Sequence, residues 1–230
     1  MGRIVQITTT VATCFEFVLA TLLLAIFASA YPDRYRSILW FEGGSKGWNS
    51  DPSYRTYLWA NYKEVPTMPL IWDERSTQYS LCVAVITVIL WLTRLFIRGP
   101  TLDTYGSVMS NALYDAILVA LWSYSTFIQS SGDFSDPEHI AIRPWYLERE
   151  CSEASRSSRA ACYAAKGSFG LALFSILWFG LRCAVTCMYG AYTYGKDSMD
   201  TGTAYFDLEK SAAQTSDGYS RCQDQLRTYC

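Results

Sequence analysis

Four stretches of the chain are apolar over nearly every position, each with a single charged residue. They run from Val11 to Ala30 with Glu16, from Tyr79 to Ile97 with Arg94, from Val108 to Ile128 with Asp115, and from Phe169 to Tyr189 with Arg182. A stretch of about 20 residues makes about 30 Å of helix, the thickness of a bilayer core. A helix of a soluble bundle would alternate apolar and polar faces at 3.6-residue spacing, and these runs do not. The pattern predicts an all-α membrane protein: a four-transmembrane-helix bundle over 1–195, with spans at about 11–30, 79–97, 108–128 and 169–189. A polar segment over 196–230, with no apolar periodicity, is predicted to be a disordered cytosolic tail.

The connecting segments differ in kind. Residues 31–78 form a long polar connection rich in aromatics, Trp40, Trp48, Trp59 and Trp72 among them, with a short helix predicted over Tyr54 to Glu64. Arg98 to Ser107 is a short turn carrying Gly99-Pro100, and Gln129 to Ser168 is a second long connection. Ala28-Ser29-Ala30 has the small-residue pattern of a signal-peptidase site. Glu16 interrupts the run before it, which is also longer than a usual signal core, so the stretch reads as a retained span.

Composition refines this picture. Of 230 residues half are hydrophobic, yet mean hydropathy is only +0.06, because polar connections dilute the four runs. The net charge of −2 gives no electrostatic footprint for nucleic acid. His139 is the one histidine, which argues against a His-based metal cluster or a histidine-containing triad within the chain. No nucleophile elbow, phosphate-binding loop or metal spacing is present, and Glu148, Glu150 and Glu153 read as solvated charges. The expectation is a protein that is not an enzyme and holds no cofactor or metal.

The four intramembrane charges are the first candidate site. With both termini on one side, Glu16, Arg94, Asp115 and Arg182 fall at one depth, roughly 5–10 Å from the same boundary. Charges inside spans are costly and are expected to face protein and find partners. Ala112, Ala116 and Ala120 give span three a small-residue stripe beside Asp115, and Ser168, Ala172 and Ser175 lead towards Arg182. The favoured reading is an ionic network gluing the bundle. Snorkelling arginines or a proton or ion relay are the other readings.

Four cysteines and one tail motif complete the candidates. Cys151 and Cys162 share the second long connection and are expected to pair in an oxidising compartment, the alternative being two thiols. On one unbroken helix they would stand about 16 Å apart, so pairing requires a turn, placed near Ser155 to Ser158. Cys183 and Cys187, four residues apart near the end of span four, suit S-acylation or simple packing. Tyr205-Phe206-Asp207-Leu208 has the form of a tyrosine-based sorting signal, with Tyr205 and Leu208 filling alternate pockets of an adaptor. An even number of spans puts both termini on one side and both long connections on the other. The long connections carry eleven Lys/Arg against twelve acids, so charge bias does not orient them. The cysteine placement favours cytosolic termini.

Three stretches bear a family likeness: Asn111 to Trp122 (NALYDAILVALW), Ala161 to Trp178 (ACYAAKGSFGLALFSILW) and Cys14 to Ile26 (CFEFVLATLLLAI). With four spans and an acid early in span three, the chain resembles the MARVEL-like membrane proteins, particularly the fungal four-span members. The resemblance implies non-enzymatic organisation or scaffolding of membrane subdomains or vesicle traffic, in the plasma membrane or endomembrane vesicles. The partners it implies are membrane lipids and other membrane proteins or further copies of the chain. An accessory subunit of a larger membrane enzyme or channel, or a small transporter or channel, are the alternatives.

Overall fold

In a computed structural model the chain is helical over 75% of its length, with no strand among the described residues. The backbone is described except at Met1, Pro66, 98–103 and 229–230, and the side chains of 2–6, 8–9, 97, 104–105 and 197–228 also lie outside the described residues. Among the described residues, seven α-helices follow in order: α1 Gly2–Ala30, α2 Arg36–Ser45, α3 Pro52–Ala60, α4 Glu74–Ile97, α5 Thr104–Gln129, α6 Trp145–Glu148 and α7 Arg159–Thr228. A 3-10 turn, Leu70–Trp72, precedes α4. The chain divides into two compact units, Met1–Cys183 and Ala184–Cys230.

Among the described residues, three helices are long and apolar enough to cross a membrane: Thr10–Ala30, Glu74–Phe96 and Arg159–Lys196. The fourth apolar run lies in α5, whose 26 residues are long enough. Its apolar positions are diluted by Asn111, Tyr114, Asp115 and the polar run Ser123 to Thr126, and it does not reach the same apolarity. α7 starts ten residues earlier than its apolar run, because the alanine-rich stretch from Arg159 is helical and turns Ala161 and Cys162 inward. The same helix continues to Thr228, through the segment whose composition predicts a disordered tail.

The first unit holds two separate cores. In the bundle core Leu19, Leu23 and Phe27 form one stripe of α1 at four-residue spacing and pack against Val83 of α4, Trp122 of α5 and Phe179 of α7. Several polar groups within this core are paired. Trp122 Nε1 donates to Thr87 Oγ1 at 3.2 Å, Ser80 and Ser125 hydroxyls meet at 2.9 Å, and Gln129 Nε2 donates to Ser125 Oγ at 3.1 Å. The outward faces stay apolar and open, as at Ile89, Leu113, Leu177 and Leu181.

The two long connections fold together into a cap with its own aromatic core. Trp40 stacks parallel on Trp72 with centroids 5.9 Å apart, and Trp72, Tyr146 and Trp145 meet edge to face. Their indole groups are satisfied: Trp145 Nε1 donates to the Leu39 carbonyl at 3.0 Å and Trp40 Nε1 to the Ser50 carbonyl at 3.0 Å. This suits an aromatic core, since a buried indole N–H needs an acceptor. Local signals set the short helices. Asp51 caps α3 by accepting from Ser53 N at 2.8 Å, with Pro52 in the first turn, and Asp73 accepts from Arg75 N at 3.0 Å at the start of α4. In the second unit, the α7 backbone is continuous and Thr193 Oγ1 returns to the Tyr189 and Gly190 carbonyls.

Candidate functional site

Each of the four helices α1, α4, α5 and α7 brings one charge to a single point inside the first unit. Arg94 Nη2 donates to Asp115 Oδ1 at 2.5 Å and its Nη1 to Glu16 Oε1. Arg182 donates through Nη1 to Glu16 Oε2 and through Nε to Asp115 Oδ2, the latter at 3.2 Å. The result is a closed ring in which acids and bases alternate, and every carboxylate oxygen accepts from a different guanidinium nitrogen. Glu16, Asp115 and Arg94 are 2%, 0% and 7% exposed, whereas the Arg182 side chain is about a quarter exposed at 23%.

The sequence builds this ring by simple means. Each charge lies in a run of apolar residues, and Glu16, Asp115 and Arg94 are buried, so ion pairing inside the bundle is the way to offset their lost solvation. Alanines next to the charges let backbones approach, as where Cys183 Sγ reaches the Ala112 carbonyl at 3.5 Å. Trp91 Nε1 donates to the Thr13 carbonyl at 3.1 Å, tying α4 to α1 one turn from Glu16. Arg94 also lies over the Tyr114 ring at 6.0 Å. A guanidinium keeps its proton at any physiological pH. Two of them against two carboxylates make a neutral clamp with no spare acceptor oxygen on either acid.

The other candidates are placed as follows. Cys151 and Cys162 form a disulfide with Cα atoms 5.7 Å apart, across a turn at 155–158 that precedes α7, and both are buried in the cap core. Cys187 is exposed, and Cys183 is half-buried on Ala112. The side chains of Tyr205 and Leu208 lie outside the described residues.

Two further carboxylates organise the cap and were not singled out by sequence. Asp133 is buried and joins three segments. Its Oδ2 accepts from Trp72 Nε1 at 2.9 Å, from Ser50 N at 3.2 Å and from Ser50 Oγ at 2.5 Å. Its backbone pairs with Ala141 in a single antiparallel bridge. Glu42, at the far side of the disulfide turn, accepts from Ser155 N and Oγ, both at 2.7 Å, from Ser158 Oγ at 2.9 Å and from Lys46 Nζ at 2.9 Å. Burial pushes the Glu42 carboxyl up, but the hydrogen bonds from Ser155, Lys46 and Ser158 together outweigh it and bring it down to about 2. Burial pushes the Tyr146 hydroxyl up, with neighbouring Arg36 opposing. Burial likewise lowers Arg36, which donates to the Asp73 carbonyl and is held charged by Asp33 and Asp73. The only sequence signal for Asp133 and Glu42 is an acid among small polar residues, which many surface acids share. Among the described residues no group of three or more His, Cys, Asp or Glu side chains is gathered as for a metal ion.

Compared with protein-family models, with curated proteins and with solved structures, the chain matches none.

Proposed function

We propose that the chain is a non-enzymatic integral membrane protein that organises or scaffolds membrane subdomains or vesicle traffic. In this reading α1, α4, α5 and the start of α7 are four spans, the termini are cytosolic and the cap is non-cytosolic. α5 is the fourth span because its polar residues face the bundle: Asp115 lies in the ring, Ser125 on Ser80, and Trp122 on Thr87. A helix shielded in this way needs less apolarity than one facing lipid on most sides. The observation that carries the proposal is the closed ring. All four carboxylate oxygens are taken by protein, which suits a clamp for a bundle better than a conduit for ions. The resemblance to MARVEL-like proteins points the same way.

The accessory-subunit reading draws on one observation. Tyr54, Tyr57 and Trp59 on α3 and Tyr62 just beyond it are 57%, 60%, 78% and 100% exposed. Exposed aromatics are enriched in protein contacts. A tagged copy, natively expressed and extracted in mild detergent, separates the two. Recovery with other membrane proteins in variable amounts supports an organiser, and a fixed stoichiometric complex of one enzyme or channel supports the subunit. Ion flux through proteoliposomes of the purified chain would overturn both.

A further inference from the structure

Beside α7, at the level where its apolar run begins, the first unit carries an open groove of about 440 Å³. Its polar lining is Ser130, Arg143, Glu148 and Lys166, and Leu147 and Phe169 supply apolar walls. Ser130 is one residue past the end of α5, and Lys166 three residues before Phe169, where the fourth apolar run starts. In the four-span reading, on which this inference rests, that level is the headgroup layer of the bilayer.

Charges in the groove are placed apart and left open. Arg143 and Glu148 are exposed, and among the described residues neither side chain has a hydrogen-bond or ion-pair partner, although they line one groove. Lys166 is half-buried and spends one N–H on the Arg149 carbonyl at 2.7 Å, which fixes its ammonium and leaves two donors. Below the groove, Phe169 continues into Leu173, Leu177 and Leu181, a four-residue-spaced stripe whose three leucines are 43%, 71% and 64% exposed.

We propose that this groove binds a phospholipid with a primary-amine headgroup, the phosphatidylethanolamine class. Arg143 and Lys166 take the phosphodiester, the guanidinium as a two-pronged donor and the ammonium as a point charge. Glu148 takes the lipid's ammonium, and an acyl chain lies along the α7 stripe. A glycerol headgroup offers Glu148 only neutral hydroxyls, with no positive charge to pair it. A choline headgroup has no N–H to give Glu148. The lipid is favoured over a soluble phosphoamine because the apolar stripe leads directly out of the polar groove.

The test uses the full chain in nanodiscs of equal parts phosphatidylethanolamine, phosphatidylcholine and phosphatidylglycerol, with lipids retained after detergent release counted by native mass spectrometry. The expected result is phosphatidylethanolamine retained about fivefold over the other two, a factor corresponding to one well-placed interfacial charge. Arg143→Gln with Lys166→Gln should lower retention of all three lipids. Glu148→Gln, at an exposed position with no partner to lose, should bring the ethanolamine-to-glycerol ratio to about one. Equal retention of all headgroups by the unaltered chain, an unchanged ratio in Glu148→Gln, or displacement of the lipid by glycerophosphoethanolamine at matched concentration would each overturn the site. Release of the chain from membranes by alkaline carbonate, soluble without detergent, would instead overturn the membrane reading, and is scored before any lipid is counted.

Discussion

Asp115 receives Arg94 on one carboxylate oxygen and Arg182 on the other. Asp115→Ala therefore leaves one carboxylate to balance two guanidinium groups in a site where Glu16 and Arg94 are buried. The expected cost is about 3–5 kcal/mol, read as a lower thermal midpoint in detergent. Replacing the whole ring by apolar residues of similar volume (Glu16→Leu, Arg94→Met, Asp115→Leu and Arg182→Met together) should cost less than Asp115→Ala alone, within about 2 kcal/mol of the parent, because no charge is left stranded. A quadruple variant less stable than the single one would contradict the clamp. Glu42 gives a pH signature of opposite origin. Its folded carboxyl sits at about 2 against an ordinary 4.5, so its contribution is complete above 4.5 and lost as pH falls towards 2. Glu42→Gln should remove on the order of 2–3 kcal/mol at neutral pH, and the gap to the parent should close between pH 4.5 and 2. Parallel melting curves across that window would show that Glu42 is not held by the Ser155 turn.

At the scale of elements, α2 and α6 meet at a glycine, Gly43, with no side chain between them. A Cβ on Gly43 would stand 1.8 Å from Asn49 Oδ1 and 2.7 Å from Trp145 Cδ1. Gly43→Ala should cost the cap about 1–3 kcal/mol by overpacking, seen as faster proteolysis within 31–73 and 129–158 while the bundle stays protected. This contact lies across about a hundred residues of sequence, which is why the cap was illegible at the outset. The apolar runs were legible because each is local: twenty residues in a row declare a helix. The isolation of Glu16, Arg94, Asp115 and Arg182 within those runs marked them as a group for the same reason. Their connectivity was not readable, since it depends on how helices lie side by side, which periodicity does not encode. Asp133 was hidden altogether, because its partners Ser50 and Trp72 are 83 and 61 positions away. The early start of α7 was missed because Ala161, Ala164, Ala165 and Lys166 favour helix while Ala161 and Cys162 are covered by the cap, a contact that the sequence does not show.

For the whole molecule, sidedness is the property most directly open to measurement. Asn61 lies at the end of α3 with its side chain on the Tyr57 carbonyl at 2.8 Å, and Tyr62 beside it is fully exposed. Lys63→Thr completes an Asn-Tyr-Thr sequon at Asn61 without touching either core. In the proposed topology this variant gains one glycan in cells, visible as a shift lost on deglycosidase treatment. An unglycosylated product, with the same sequon used when moved to the chain's N-terminus, would invert the topology. The ionic ring has a consequence for biogenesis as well. In the proposed four-span topology each helix, inserted alone, presents the insertion machinery with one charge off the centre of its span, at a cost below the about 2.5–3.5 kcal/mol of a charge at the centre. Once α1, α4 and α5 have been synthesised, the nascent bundle holds Glu16, Asp115 and Arg94, two negative charges against one positive, a residual −1. Only the last span, with Arg182, cancels it. In the proposed topology, a product that stops before Arg182 keeps one uncompensated carboxylate that the completed chain does not have.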